Sequence, residues 1–276
     1  MIRPGVITLA VFGQPVAHSL SPRIHLAFGR QAGLTVAYRA IEVSPGGLGD
    51  ALASLAARGG VGCNVTLPLK HEARTLARTC SERVERAQAA NTLLRDGEGW
   101  HAENTDGTGL VRDLRRCGLD PTGKRVALLG AGGAAAGICA ALLDAGPTEL
   151  RIYNRTEDRA LALADRHRDL GPVTADSMDR LGTETFDLVL NATAQGHSGE
   201  IPPVSTALFA PDGALYDLNY GRAADPLAHW AQSAKVPYRS GLGMLVGQAA
   251  ESFRLWTGFE PEMTPVLEEL SRSGDR

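Results

Sequence analysis

Arg125-Val-Ala-Leu-Leu-Gly130-Ala131-Gly132-Gly133-Ala134-Ala135 is the stretch on which the fold turns. An apolar run ends abruptly in glycines and passes into small, helix-compatible residues, the order strand, tight turn, helix. Gly130 permits the turn, Gly132 lets the backbone approach a pyrophosphate, and Ala135 takes the third fingerprint position, where a small residue allows close helix packing. A phosphate there would meet the free amides and positive dipole end of the helix. Glycine turns also serve as plain connectors, so the flanking pattern matters. Ala134 to Ala145 and Glu157 to His167 read as helices, and Leu150 to Tyr153, Phe186 to Leu190 and Ala214 to Leu218 as strands. This half is therefore expected to be a Rossmann-like, doubly wound sheet.

The strand after the turn leads into Asn154-Arg155-Thr156, with Arg159 one helical turn further on. A site for an unphosphorylated ribose usually carries Asp or Glu here. Two guanidinium groups and a hydroxyl suit a phosphate instead, because arginine makes paired, charge-assisted hydrogen bonds to it. The expected cofactor is NADP. The plainer alternative is that Thr156 caps the next helix and both arginines are simply solvated.

Towards the N-terminus, Val6 to Phe12, Val36 to Ile41 and Val61 to Val65 alternate as strands with helix-like Pro22 to Ala32 and Leu48 to Ala57. Ser21 before Pro22 is expected to cap the first of these helices. The chain has 276 residues, which favours two cores over one. The expected division is 1–106 for a substrate-binding and catalytic α/β domain, 107–240 for the NADP-binding domain, and 241–276 for C-terminal helices that return to the first. Met244 to Trp256 is the helix that carries that return.

Net charge is -3, so no general attraction to nucleic acid or an anionic membrane is expected. Cys63, Cys80, Cys117 and Cys139 are dispersed without a C-x-x-C pair, which signals neither zinc nor a disulfide framework. Neither a signal peptide nor a membrane-spanning run is visible, and a cytoplasmic protein with a small-molecule substrate is expected. Self-association as a homodimer is compatible with this. The polar tail Ser271 to Arg276 is expected to fray.

Polar residues cluster at the ends of apolar runs in the first half: Ser19 and Ser21; Asn64, Thr66 and Lys70; Asn91; Asp106. Each has a plain structural explanation alone, as a cap, a turn residue or a solvated lysine. Together the sequence resembles the shikimate dehydrogenase family. The resemblance is carried by Val11-Phe-Gly-Gln-Pro-Val-Ala-His-Ser-Leu-Ser-Pro22, Asn64 to Lys70, Ala90-Asn-Thr92, Asn104 to Gly107, Gly130 to Ala134, Asn154-Arg-Thr156, Asn191-Ala-Thr193, Tyr216-Asp-Leu-Asn-Tyr220 and Gly241-Leu-Gly-Met-Leu-Val-Gly-Gln248.

The resemblance implies that Ser19, Ser21 and Tyr220 hold a substrate carboxylate, and that Asn64, Thr66, Asn91 and Gln248 bind ring hydroxyls. It implies that Lys70 and Asp106 flank the reacting hydroxyl or ketone. Gly130, Ala131, Gly132, Gly133 and Ala134 would take the pyrophosphate, Asn154, Arg155, Thr156 and Arg159 the 2′-phosphate, and Thr193, Leu218 and Gly241 the rest of the cofactor and its nicotinamide. The implied reaction is reversible NADPH-dependent reduction of 3-dehydroshikimate to shikimate, a step of aromatic amino-acid (chorismate) biosynthesis. No metal is implied.

The chemistry suits the residues. Hydride delivery to a ketone leaves charge on oxygen, and an ammonium steadied by a carboxylate can both stabilise that charge and supply a proton. Serine hydroxyls can hold a carboxylate, and Asn, Thr and Gln both donate to and accept from polyol hydroxyls. A cleft between the domains, closing about connectors near Asp106 and Gly241, is expected. Departures from the family pattern are Leu26 after His25 and Ala194-Gln195. The rival readings are a quinate/shikimate dehydrogenase using NAD and an inactive NADP-binding sensor.

Overall fold

A computed structural model describes residues 5–272, and the end of the expected polar tail lies outside the described residues. Among these, one compact unit comprises 5–109 and 246–269, and a second comprises 110–245 and 270–272. Strands in the first unit are β1 (Ile7–Gly13), β2 (Val36–Glu42), β3 (Gly62–Val65), β4 (Thr79–Cys80), β5 (Thr92–Asp96) and β6 (Gly99–Glu103), in the order β2-β1-β3-β5-β6-β4. The helices are α1 (Ser21–Ala32), α2 (Leu48–Ala57), α3 (Lys70–Leu76) and α4 (Glu82–Ala87), followed by α5 (Asp106–Arg116), which continues into the second unit.

β1 pairs in parallel with both β2 and β3, whereas β5 runs antiparallel to β3 and β6. The sheet thus reverses its direction of growth at β1 and β3, and the carboxyl ends of two such strands are where open α/β sheets gather ligand groups. Here those ends are Gly13 and Thr66. They approach so closely that a Cβ on Gly13 would lie 2.4 Å from the Thr66 methyl. Ala10, Phe12, Cys63 and Val65 face Leu48, Leu52 and Leu55 of α2 in one apolar cluster.

The second unit contains β7 (Arg125–Leu129), α6 (Gly133–Asp144), β8 (Glu149–Asn154), α7 (Glu157–Asp165), β9 (Val173–Ser177), β10 (Phe186–Asn191), β11 (Phe209–Asp217), α8 (Asp225–Ala234) and β12 (Tyr238–Ser240). Its sheet is parallel throughout, β12-β11-β10-β7-β8-β9. Numbered from its own first strand this is the 3-2-1-4-5-6 order of dinucleotide-binding sheets. Alternation along β7 explains its two-sided burial: Val126 and Leu128 join Ile138 and Leu142 of α6, while Ala127 and Leu129 join Leu215 and Leu227.

The chain passes between units inside α5 and again inside α9 (Leu242–Thr257), before α10 (Met263–Arg272). The connectors expected to hinge at Asp106 and Gly241 are therefore helix starts and not free loops. Ser21 is also not the cap of α1. Leu20 already has helical angles, Ser21 is the first helical residue, and its N–H donates to the Ser19 hydroxyl at 3.2 Å. The Ser21 side chain is left to face another partner.

Candidate active site

In the first unit, Lys70 is the first residue of α3, and its carbonyl accepts from Ala90 N–H at 2.8 Å, which sets it beside the loop carrying Asn91. Its ammonium donates to Asp106 Oδ2, the opening residue of α5. The Asp106 carboxylate is 8 % exposed and the Lys70 side chain 22 %, so this ion pair is largely screened from solvent yet open on the lysine side. Asn91 Nδ2 donates to the other carboxylate oxygen, Oδ1, at 2.7 Å, and to Thr105 Oγ1 at 2.9 Å. Asn91 Oδ1 in turn accepts from Thr105 N–H and the Thr92 hydroxyl at 2.8 and 2.9 Å. Both Asp106 carboxylate oxygens thereby have a donor, and the carboxylate cannot swing away from Lys70 without breaking a buried bond to Asn91.

Asn64 lies on β3 in register with Thr92 of β5. Its Nδ2 faces Asn91 O, Thr92 Oγ1 and Ser252 Oγ at 3.0 to 3.1 Å, and its Oδ1 accepts from Tyr38. Gln248 and Ser252, one turn apart on α9, complete the cluster: Gln248 Oε1 accepts from Asn91 at 3.3 Å and Ser252 Oγ meets Thr92 at 2.8 Å. Room for this helix comes from glycine. A Cβ on Gly109 would lie 2.3 Å from Gln248 N, and one on Gly247 2.7 Å from Gly109 O.

Ser19, Ser21, Asn64, Thr66, Lys70, Asn91, Asp106 and Gln248 all belong to the first unit. Ser21, Asn64, Asn91, Asp106 and Gln248 are buried, and Ser19, Thr66 and Lys70 are partly open. Tyr220 belongs to the second unit, at the cap of a short turn, with 36 % of its surface exposed. Reading by residue type passed over His25, Tyr38, Thr92, Thr105 and Ser252. Helical spacing held a clue to two of them, since His25 follows Ser21 and Ser252 follows Gln248 by four residues.

In the second unit, Gly130 has φ +104°, and a Cβ on it would lie 3.1 Å from Ala192 O, so the close approach of the β7 and β10 ends requires glycine. Gly132 and Gly133 are different. Nothing lies within 4 Å of where their Cβ atoms would be, and the open backbone at the start of α6 forms a cradle of the kind an anionic phosphate fills. Ala131 and Ala134 flank it. Asn154 Oδ1 accepts from Ala131 N–H at 3.2 Å and its amide donates to Thr156 O at 2.8 Å, so this side chain braces the turn.

Thr156 stands at the N-cap of α7, but its side chain makes no capping bond. Arg155 and Arg159 are exposed and form no ion pair among the described residues. Two uncommitted guanidiniums beside an uncommitted hydroxyl are what an added phosphate group needs.

At the other edge, Thr193 bonds to Asn191 Oδ1 through N–H and hydroxyl at 3.1 and 2.8 Å, and Asn191 donates to buried Asp217 at 2.9 Å. Burial pushes the Asp217 carboxyl up from its ordinary value, against the donors from Asn219, Asn191 and Tyr238. Leu218 follows on this anchored strand. A Cβ on Gly241 would lie 2.2 Å from Leu218 O, so these two segments abut only because position 241 is glycine.

Among the described residues no cluster of His, Cys, Asp or Glu is arranged to hold a metal. The four cysteines are free. No helix of the described residues is long and apolar enough to cross a membrane.

Three family models match: a shikimate dehydrogenase substrate binding domain over residues 11–93, shikimate / quinate 5-dehydrogenase over 115–198, and a shikimate 5'-dehydrogenase C-terminal domain over 241–270. A shikimate dehydrogenase (NADP(+)) of Xylella fastidiosa (strain Temecula1) is 50 % identical over 270 residues, 96 % of each chain. Among solved structures, an Ael1 enzyme from Pseudomonas putida superposes with a TM-score of 0.90 at 36 % identity, covering 96 % of this chain and 98 % of that one. Shikimate 5-dehydrogenase from Thermus thermophilus, in complex with NADP(H) and shikimate, gives 0.83 at 32 % identity, covering 96 % and 99 %.

Proposed function

This chain belongs to the shikimate dehydrogenase family, and we propose that it reduces 3-dehydroshikimate to shikimate, reversibly and with NADPH, using Lys70 and Asp106 at the carbon–oxygen bond that changes. The observation that carries the assignment of these residues is the Lys70–Asp106 pair, fixed through Asn91 and open on the lysine side. The reaction is a step of aromatic amino-acid biosynthesis.

NADPH, when bound, supplies the hydride. Gly130 to Ala134 would hold its pyrophosphate, and Arg155, Arg159 and Thr156 its 2′-phosphate, with Asn154 acting on the glycine turn that it braces. Leu218 and Gly241 would frame the nicotinamide, with Thr193 on the rest of the cofactor. As the ketone carbon gains hydride, the carbonyl π pair moves onto oxygen. The Lys70 ammonium stabilises that charge and gives up one proton to form the hydroxyl, while Asp106 holds the amine in place and solvent restores its proton. Ser19 and Ser21 suit the substrate carboxylate and Thr66, Asn91 and Gln248 its hydroxyls.

Reduction of NADP+ by shikimate, followed by absorbance with quinate and NAD+ run alongside, tests this reading. Expected is clear preference for shikimate over quinate and for NADP+ over NAD+. Equal or better turnover with NAD+ would remove the 2′-phosphate assignment of Arg155 and Arg159. Binding of NADPH without oxidation of shikimate from neutral to alkaline pH would favour a sensor over an enzyme. We place the enzyme in the cytoplasm on the strength of its four dispersed cysteines; a homodimer would show as twice the 29.1 kDa chain mass in solution.

A further inference from the structure

Beneath the reacting pair lies a second tier that residue type alone does not nominate. His25 and Tyr38 stack face to face, with ring centroids 4.4 Å apart and an interplanar angle of 7°. Phe28, Phe253 and Trp256 close around the imidazole at 5.3 to 6.1 Å. Both polar tips of the stack aim at one atom: the Tyr38 hydroxyl donates to Asn64 Oδ1 at 2.7 Å, and His25 Nε2 meets the same oxygen at 3.2 Å.

Burial holds the His25 imidazole at about 3, opposed by its bond to Asn64, so the ring is neutral, and the Asn64 amide oxygen facing Nε2 assigns the single proton to that nitrogen. Nδ1 is left buried without a partner. A site that accepts this cost while spending its one proton on Asn64 is holding that amide deliberately oriented.

Asn64 is thus saturated, with two donors on its oxygen and three acceptors around its nitrogen. Its influence passes to Asn91, whose carbonyl it holds and whose side chain holds Asp106. A continuous run of side-chain hydrogen bonds therefore joins Tyr38, by way of Asn64, Thr92, Asn91 and Asp106, to Lys70.

We propose that Tyr38 and His25 are positioning residues for the reaction: by locking the Asn64 amide they set the placement of Asn91 and Asp106, and hence of Lys70. This rests on the reading of Lys70 and Asp106 as the reacting pair. Neither Tyr38 nor His25 is required to touch substrate.

The test is steady-state shikimate oxidation by Tyr38→Phe, which keeps the stacked ring and removes the hydroxyl, and by His25→Phe, which keeps the ring and removes the Nε2 donor. Rates are normalised to protein that binds NADPH. Expected for Tyr38→Phe is a fall in kcat of about five- to tenfold, on the scale of one buried hydrogen bond, with KM for shikimate within about twofold. His25→Phe is expected to change the same parameter in the same direction, by about threefold.

Leu52→Ala, a core truncation on α2, controls for mere destabilisation: its melting temperature should fall while kcat per folded molecule stays native. Native kcat in both ring variants would overturn the proposal, as would a loss expressed only as lowered melting temperature. Lys70→Ala, run in parallel, separates the two levels. Loss of turnover there with native kcat in both ring variants defeats the positioning role alone, whereas native turnover in Lys70→Ala defeats the reading beneath it.

Discussion

The two candidate sites are built in opposite ways. Around Asp106 the first unit satisfies its polar groups with one another: Asn64, Asn91, Thr92, Thr105 and Ser252 are nearly all buried and mutually bonded before any substrate arrives. Around Gly132 the second unit leaves polar groups unspent, with open backbone at the start of α6 and two arginines without carboxylate partners among the described residues. A network of the first kind fixes angles and distances and is suited to the chemical step. An assembly of the second kind meets a highly charged, flexible ligand, for which backbone amides and exposed cations are enough.

Substitutions should therefore separate by kinetic parameter. Lys70→Ala is expected to have the largest effect, a fall in kcat of about two orders of magnitude or more, the range of a positioned acid–base group, with NADP affinity kept; stopped assays and NADPH titration together read both. Gly132→Ala comes next. Its backbone, φ -85° and ψ -170°, is open to alanine and its Cβ meets nothing in the protein. Melting temperature should stay close to native while KM for NADP+ rises by more than about tenfold, because the new methyl occupies the cradle. A variant that unfolds instead would show that the turn is under strain.

Arg155→Ala should raise KM for NADP+ by about tenfold, with kcat unchanged and the gap to NAD+ narrowed. The smallest effect concerns pH. The buried His25 sits at about 3 against 6.5 in the unfolded chain, so the unfolded state binds the extra proton first. Its contribution is therefore complete above pH 6.5 and declines as pH falls towards 3. Between pH 7 and 5.5 the native protein should lose about 1 kcal/mol from this group, and urea titrations of His25→Phe should show a shallower decline. Parallel slopes would mean that the ring is not buried neutral.

Much of this architecture was legible because its signals are local. An apolar run ending in glycine marked β7 and its turn, and short apolar runs alternating with helix-like stretches marked β1, α1, β2, α2 and β3. The β5–β6 hairpin was passed over although Asp96-Gly97 announces it, and Gly97 does take φ +58°. β12 is three residues long and borrows its existence from pairing with β11. The proposed roles of Lys70, Asp106 and the candidate ligand positions came from resemblance, since Lys70 and Asp106 lie 36 residues apart and nothing in their spacing brings them together. Tyr38 was illegible, and His25 and Ser252 were marked only by their helical spacing from Ser21 and Gln248, for a related reason: each acquires a role only once β2, β1, β3 and β5 are in register and α9 has returned to the first unit. Misreading Ser21 as a cap followed from composition, because Ser before Pro is a cap signal and only the helical angles of Leu20 displace it.

The most direct measurement is a double-mutant cycle on kcat with Lys70→Ala, Asp106→Asn and the two combined, at saturating shikimate and NADP+. Residues that act as one unit lose their effect together, so the combined variant should be no slower than the worse single variant to within about threefold. Losses that multiply, leaving the double variant slower than either by the full product, would contradict a reaction run by Lys70 and Asp106 acting as a pair.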